Sequence, residues 1–301
     1  MPVNMLNVVR VGKEATRGTV AASLPLHLPF LGDGLKIGHR NHLGQIKSSS
    51  TFPDVTEEVP LGMTPAVRLT PDVNINTIRD IIQMSIARVS NALNAFSFAE
   101  NCAGIGAQAA LGSVLRTTSL EFSRSDNPDA SALLNGTMEF AAMKLIDSSA
   151  TAGTQAIARR LKLAASSFTI NAVSELEILS WAWTITNNLY IGPHGPDRSI
   201  LYIEDGDTMH EFRVRARMAT TAWRAIVRNG TEFAASFVLA SGTATEDVTL
   251  TVAKSQAETH ELSGGEGVIE QEMIIRPFRG SGSAAVGVAF GAGIGASALS
   301  L

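Results

Sequence analysis

The sequence contains a single cysteine, Cys102, in 301 residues. One thiol cannot form an intramolecular disulfide, and it cannot supply the cysteine ligands of a structural zinc site. Charged residues make up only 17% of the chain, against the usual ~25%, and the net charge is −4. This balance argues against a protein that covers nucleic acid by counterion release. It favours a β-rich chain that buries surface against partners.

The chain also lacks the short motifs of common enzyme classes. It has no GxSxG nucleophile elbow, no Walker lysine after a glycine loop, and no HExxH or HxH pair among its six histidines. The glycine-rich segments 104–107 and 291–295 do not open a periodic helix inside a βαβ unit. We therefore expect no enzyme activity, no catalytic residue, no metal site and no cofactor.

Only residues 283–301 are apolar enough to suggest a membrane span. Their side chains are mostly glycine and alanine, which gain little from contact with lipid, and no positive flank follows them. We expect a glycine-interrupted strand followed by a packed tail, and no membrane partner.

Two segments have the periodicity of amphipathic helices. In the first, isoleucines recur at helical spacing between Ile75 and Val89. The second runs from Thr220 to Gly230 and turns Trp223 inward, with the glycine as a left-handed stop.

Most of the remaining chain alternates between apolar and polar residues, as strands with one buried face do. Four stretches show the alternation best, residues 117–124, 178–188, 211–218 and 247–254. Many strands with only two helices predict a mainly β fold built from antiparallel sandwiches or barrels.

The two halves of the chain resemble each other at an offset of about 130 residues. Residues 117–125 match residues 247–255, and a glycine turn followed by an apolar residue and a glutamate occurs twice. This second match makes Glu139 and Glu270 counterparts.

The order of these matches predicts a duplication. We expect two tandem β-sandwich or barrel domains, residues 1–152 and 153–301, each flanked by one α-helix. A run of small residues, 148–153, has the composition of a linker between them. The segment 99–113 has no counterpart of equal length, and we expect it to be an insertion in the first domain.

The chain resembles the tail tube (major tail) proteins of tailed bacteriophages, especially those of long non-contractile tails. The opening VGKEATRGT, the hairpin KSSSTFPDVTEEVPLG and the run AVRLTPDVNINTIRDIIQ are similar to the N-terminal part of that family. In the second half, SELEILSWAWTITNNLYIG contains Thr186, Asn187 and Asn188, which resemble the Thr-x-Asn-Asn ending of a family strand without its intervening residue. GGEGVIEQEMIIRPF resembles the penultimate strand of the family.

The resemblance implies a structural protein of the virion, located in the phage tail and assembled in the host cytoplasm. Copies of the chain would form stacked rings, and the rings a hollow tube through which DNA is ejected into the host cell. Because the chain is duplicated, we expect a trimer that forms a pseudo-hexameric ring, stacked head to tail. The implied partners are the tape measure protein, the tail terminator, the distal tail proteins, and transiting DNA without specific binding.

The resemblance also implies that long hairpin loops carry the contacts between rings. Residues 46–62 and 190–200 are far longer than a two-residue turn requires. The side chains that we expect at this interface are Phe52, Pro53, Asp54, Glu57 and Glu58 in the first loop and His194, Asp197 and Arg198 in the second.

The repeated glutamates, Glu139 and Glu270, are candidates for the channel wall. If they face the lumen, they present negative charge to the phosphates of passing DNA and reduce the chance that it sticks. An outer, solvated position for both is the alternative.

Trp181 and Trp183 lie on one face of a predicted strand and allow a different interpretation. They could form the platform of a carbohydrate-binding or adhesin-type β-sandwich, or they could belong to an aromatic core that continues through Leu179 and Ile185. We favour the core. A small-ligand barrel or an enzyme on a β scaffold is a further alternative.

Overall fold

The computed structural model of the protein describes residues 7–47, 55–89, 92–102, 106–122, 132–148, 158–175, 177–217, 222–265, 268–279 and 284–299. These residues form a mainly β fold with one large antiparallel sheet and two short helices. The strands, in chain order, are β1 (Asn7–Lys13), β2 (Leu26–Lys47), β3 (Val55–Pro71), β4 (Arg88–Val89), β5 (Ala92–Leu93), β6 (Ala95–Cys102), β7 (Gly106–Phe122), β8 (Leu134–Ala141), β9 (Lys144–Ser148), β10 (Lys162–Ile170), β11 (Val173–Glu175), β12 (Ile178–Ile191), β13 (Ile203–Arg217), β14 (Phe233–Ala240), β15 (Asp247–Gly265), β16 (Val268–Pro277) and β17 (Gly287–Phe290).

Both predicted helices are confirmed, with shorter bounds. Helix α1 spans Ile78–Ile86 and begins three residues later than Ile75, because the preceding residues form a turn in which the Thr77 hydroxyl accepts from the Asn74 backbone N–H at 3.0 Å. Helix α2 spans Ala222–Asn229, buries Trp223 and is followed by Gly230, whose φ of +60° provides the predicted stop.

The strands of the first half pair in a closed cycle. The order is β1, β2, β3, β8, β7, β6 and back to β1, and β9 continues along β7. Closing the cycle in this way leaves a barrel whose inward side chains form a core. The segment 99–113, predicted as an insertion, belongs to the β6–β7 hairpin instead.

The strands of the second half pair in the same order. Strand β10 pairs with β11, β12 follows β11 in the chain, and the cycle continues through β13, β16, β15 and β14 back to β10. Strand β17 continues along β15 as β9 does along β7. Strands β11 and β12 together therefore hold the place that β2 holds in the first half.

The repetition extends to the register of single residues. In the first half one row of opposed residues is Ile37, Val67, Phe140 and Leu115, and in the second half the corresponding row is Trp183, Phe212, Ile275 and Ala257. Next to this row each half has a β-bulge. Arg116, which follows Leu115 in β7, has no partner in β8, and Glu258, which follows Ala257 in β15, has no partner in β16. Two halves that share both a row and a bulge can be compared position by position.

This register revises the match between the two repeated glutamates. Counting from the shared row gives Ile274 as the counterpart of Glu139, since they lie opposite Arg213 and Arg68 respectively. Glu270 lies four residues earlier on its strand than Ile274. The two glutamates lie on corresponding strands but at different positions along them.

The main hydrophobic core is shared by both halves. It includes residues of both barrels and the inner faces of both helices. Trp181 and Trp183 lie in it, with 1% and 0% of their surface exposed, and Trp183 stacks on Phe212 with ring centroids 5.5 Å apart. The tryptophans therefore belong to the aromatic core, and they cannot serve as a carbohydrate platform.

The C-terminal segment returns from the second half to helix α1 of the first. After β17, the backbone N–H of Gly295 donates to the carbonyl of Ile75 at 2.9 Å, and Asp80 accepts hydrogen bonds from the Ser297 hydroxyl at 2.7 Å and the Ala298 N–H at 3.1 Å. Burial raises the pKa of the Asp80 carboxyl, while these donors oppose the rise. This is the packed tail that the sequence predicts. No helix within the described ranges is long and apolar enough to cross a membrane.

Candidate assembly surface

A continuous arc of eight strands runs through both halves. Its order is β2, β3, β8, β7, β12, β13, β16 and β15, and the pairing between β7 and β12 joins the halves. Alternate residues of the arc point into the core, as in the buried series Phe212, Val214 and Ala216. The other face of the arc carries mainly polar side chains that are partly or fully exposed, as are Arg213 and Arg215 of β13.

The exposed face of the first half carries a glutamate between two arginines. Glu139 on β8 lies 3.5 Å from a guanidinium nitrogen of Arg68 and 3.9 Å from one of Arg116. Its side chain is about one third exposed. The sequence-predicted residue therefore lies on the polar face of the arc, in a paired state.

The exposed face of the second half carries a ladder of alternating charges. Two arginines of β13 pair with glutamates of β16, Arg213 with Glu272 at 3.5 Å and Arg215 with Glu270. Alternate placement on β13 puts these arginines on the face opposite the core. The second predicted glutamate, Glu270, thus also lies on the polar face and is held by an arginine.

The arc ends at two strand edges. Residues 35–47 of β2 pair on one side with β3, and residues 257–265 of β15 pair on one side with β16. Within the described parts of the chain, no strand pairs with the other side of either segment. Two apolar side chains near the second edge, Leu262 and Ile269, are 51% and 54% exposed. Open strand edges with apolar side chains tend to pair with another chain.

The loop between β12 and β13 docks on the first half of the molecule. The ring nitrogen Nε2 of His194 lies 3.0 Å from the carbonyl oxygen of Met63, and the Met63 N–H donates to the carbonyl of Arg198 at 3.0 Å. Asp197 accepts from the hydroxyl of Ser199 at 2.6 Å, and this bond lowers the pKa of the Asp197 carboxyl. The loop therefore has a fixed position beside strand β3.

The first predicted loop, residues 46–62, is shorter than the sequence suggested. Strands β2 and β3 remain paired as far as Lys47 and Val55, so Glu57 and Glu58 lie within β3, opposite Ile46 and Gln45. The other predicted loop residues, Phe52, Pro53 and Asp54, lie outside the described residues. Because His194 and Arg198 contact Met63 of β3, the second loop lies beside the strand that leads out of the first hairpin.

His210 is an ionisable group that the sequence did not single out. Its ring stacks on Trp183 with centroids 5.9 Å apart, and in the described residues its Nδ1 has no hydrogen-bond partner. Burial lowers the pKa of His210 to about 4.

No group of three or more His, Cys, Asp or Glu residues in the described ranges is arranged to hold a metal ion.

The open edge of β15 was not recognised in the sequence, although a weak signal exists there. In ETHELSGG, residues 258–265 at the end of β15, Leu262 is the only large apolar residue. A solitary leucine of this kind is common on surfaces, and only the pairing pattern identifies its strand as an edge.

No curated protein matches this chain significantly in sequence. The family model described as phage tail tube protein matches residues 6–276, which is most of the chain. That range includes the eight-stranded arc, apart from the last residue of β16, and both of its edges. The match agrees with the mainly β fold and with the resemblance noted from the sequence, and the chain belongs to the phage tail tube protein family, whose members are structural components of the virion.

Proposed function

We propose that three copies of this chain close into a ring, that the rings stack head to tail, and that the resulting hollow tube conducts DNA into the host cell. The observation that carries the proposal is the eight-stranded arc, which has the same four-stranded pattern twice and ends on two open edges. A contact between unlike edges generates a closed ring when the rotation between copies fits. Ring closure also removes the edges that make isolated sheets aggregate.

The number of chains in the ring follows from a proposed duplication. We propose that residues 1–152 and 153–301 are two copies of one unit, so that three chains supply six similar positions. The repeated strand order and the shared bulge support this division. The proposed boundary itself lies among residues 149–157, which are outside the described ranges.

The polar face of the arc is the proposed channel wall, and it includes Glu139 and Glu270. Arginines on this face are held by glutamates, as in the pairs Arg213–Glu272 and Arg68–Glu139, both at 3.5 Å. A free arginine binds phosphate strongly, whereas one paired with a carboxylate does so less well. The paired wall would let DNA pass without gripping it.

The loops at the ends of the long hairpins are the proposed contacts between rings. The side chains in question are the eight predicted from the sequence: the loop residues Phe52, Pro53, Asp54, His194, Asp197 and Arg198, and the adjoining β3 residues Glu57 and Glu58. The proximity of the second loop to β3 supports a joint role, since one surface could then include both loops.

The protein would act without catalysis. Its proposed partners are further copies of itself, the tape measure protein, the tail terminator and the distal tail proteins, with assembly in the host cytoplasm before incorporation into the virion. DNA would pass through the tube without specific binding. A long non-contractile tail is the proposed setting.

Electron microscopy of the purified chain tests the assembly directly. We expect stacked rings or tubes, and a cross-section with three chains in each ring. A cross-section with six full chains would contradict the duplication argument. A protein that stays monomeric at high concentration would contradict the tube proposal as a whole.

The channel wall is tested by releasing one arginine from its partner. Glu270→Gln should leave tubes intact but slow DNA release from virions, because Arg215 becomes available to phosphate. The matched control is Glu232→Gln, which breaks a 3.6 Å pair with Lys254 in the part of β15 that pairs with β14. Equal release rates for both variants would argue against the assignment of this face to the lumen.

The stacking contacts are tested by replacing residues 48–54 with a two-residue Asn-Gly turn, which leaves the paired parts of β2 and β3 unchanged. We expect a folded protein that forms rings but no long tubes. Tubes of normal length from this variant would mean that the tip of the first hairpin is not a stacking element.

A further inference from the structure

We propose that residues 259–264 of β15 pair antiparallel with residues 35–40 of β2 in a second copy of this chain. In the proposed register, Lys36 lies opposite Ser263 and Ile37 lies opposite Leu262. The inference rests on the proposed ring and specifies which residues close it.

The register is taken from the joint that already exists inside the chain. Strand β7 pairs with β12 so that Glu121 lies opposite Ala182 and Leu120 lies opposite Trp183. The residues of β7 can be matched one by one to residues of β15, because each strand has a single-residue bulge at the same position, Arg116 in β7 and Glu258 in β15. The β7–β12 pairing, which we call the internal joint, therefore serves as a template for the proposed pairing of β15 with β2 of a second copy.

Two counterpart positions on the β2 side follow from the same row. Ile37 and Trp183 occupy corresponding places in it, so the residues before them, Lys36 and Ala182, also correspond. On the β15 side, Thr259 follows the bulge as Thr117 does, and four residues further on Ser263 corresponds to Glu121.

The exposed apolar surface fits this pairing. Leu262 is 51% exposed, whereas its counterpart Leu120, which is covered by the internal joint, is 0% exposed. Ile37 is half-buried, whereas its counterpart Trp183 is fully buried. A second copy that pairs in the proposed register brings Ile37 against Leu262 and removes both from water.

The charges at the two edges are also complementary. Lys36 lies opposite Arg68 on β3, and like charges directly opposite each other destabilise a pair of strands. In the proposed pairing Glu261 lies diagonally across from Lys36, within reach of its long side chain. The carboxylate would offset the positive charge at this edge.

Disulfide formation tests the register in assembled tubes. In a Cys102→Ser background, the test variant carries Lys36→Cys with Ser263→Cys, both at exposed positions. A shifted control carries Lys36→Cys with Glu261→Cys, on the same face but two residues away. The positive control is Ala182→Cys with Glu121→Cys, the corresponding pair of the internal joint, which should cross-link within one chain.

We expect oxidised tubes of the test variant to give covalent species that end at three chains, with at least about ten times the yield of the shifted control. Directly opposite residues have Cβ atoms ~5 Å apart, whereas diagonal ones are ~7–8 Å apart, too far for an easy disulfide. A mixture of the single variants Lys36→Cys and Ser263→Cys should give cross-linked dimers, which can form only between chains.

Three results would overturn the proposal. If the shifted control cross-links better, or if tubes of normal length form without any cross-link at positions 36 and 263, the register is wrong while the tube function stands. If the unsubstituted chain forms no rings or tubes and the mixture of single variants gives no dimer, both the register and the proposed function are wrong.

Discussion

The two halves of the molecule share one strand order, but they differ in what covers the corresponding edge of each. In the first half, the edge of β7 is covered by β12, and Leu120 there is fully buried. In the second half, no strand in the described ranges pairs with the same edge of β15, and Leu262 is half exposed. The same strand position therefore contributes to folding in one half and is available for association in the other.

The apolar side chains at the internal joint are larger than their counterparts on the open edge of β2. Trp181 and Trp183 fill the internal joint, whereas Leu35 and Ile37 hold the corresponding places on β2. Larger aromatic side chains bury more surface, so the internal joint contributes more to the stability of the single chain. The smaller side chains on β2 leave less apolar surface exposed before a partner binds.

The two halves also differ in the connection that leads from the first strand, β1 or β10, to the next strand, β2 or β11. A two-residue turn, Asn171 and Ala172, links β10 to β11, whereas a longer loop links β1 to β2. That loop reaches the second half, where Arg17 lies 3.0 Å from a carboxylate oxygen of Asp205. The extra length in the first half thus fastens the two halves to each other.

The largest expected effect comes from emptying the internal joint. Trp183→Ala should lower the free energy of unfolding by about 3–5 kcal/mol, because it leaves a cavity in the shared core. The corresponding change, Ile37→Ala, should cost the unassembled chain clearly less, since that side chain is only half-buried. Urea unfolding of the unassembled proteins measures both, and equal losses would contradict the comparison.

A pH-dependent effect should be specific to the second half. The pKa of His210 is about 4 in the folded chain and 6.5 in the unfolded chain. Between pH 6.5 and pH 4 the unfolded chain therefore binds a proton at this histidine that the folded chain does not, and the fold loses stability as the pH falls. Lowering the pH from 7 to 5 should therefore cost about 2 kcal/mol of unfolding free energy. In His210→Phe this contribution should be absent, because Phe cannot be protonated. Its counterpart in the first half is Pro65, which does not titrate.

The pH effect is measured by urea unfolding of both proteins at pH 7 and pH 5. Other groups change with pH in the wild type and in the variant alike, so the difference between the two proteins isolates His210. An identical pH dependence in both would mean that the histidine does not lose its charge on folding.

A smaller effect should follow from unfastening the loop between β1 and β2. Asp205→Asn removes the charge that pairs with Arg17 and weakens the bond that the carboxylate accepts from the Leu93 N–H at 2.9 Å. We expect a loss of about 1–2 kcal/mol, as for a partly buried charged hydrogen bond. Hydrogen exchange of residues 14–24 should rise more than that of β15, and uniform exchange would argue against a local role.

The smallest expected effect on the single chain is at the open edge. Leu262→Ala should change the free energy of unfolding by less than about 0.5 kcal/mol, as is usual for an exposed position. Leu120→Ala, at the covered counterpart, should cost about 2–5 kcal/mol. Urea unfolding of the unassembled variants gives both values, and a large loss from Leu262→Ala would show that this edge is already buried in the monomer.

The sequence predicted the helices, the main strands and the burial of the tryptophans because each depends on local periodicity. Alternation of apolar and polar residues requires only that one face of a strand is buried. The periodicity of residues 75–89 and the stop at Gly230 are similarly local. The family resemblance rested on the same regular segments.

The match between Glu139 and Glu270 shows where sequence comparison failed. Similar short strings with a glycine and a glutamate occur in both halves, but a strand can be shifted by an even number of residues without changing which face is buried. The four-residue difference preserves that parity, so the pattern could not reveal it. Hydrogen-bonded register with the neighbouring strands decides the position.

The sequence by itself determined which segments are strands and which side chains face inward. Only the tertiary structure decided that β7 pairs with β12, that Glu139 and Glu270 each meet an arginine, and that the edge of β15 stays open. The physical reason is range. Periodicity reports the environment of each segment, whereas pairing between strands joins residues far apart in the chain and depends on which edges are still unoccupied when the fold closes.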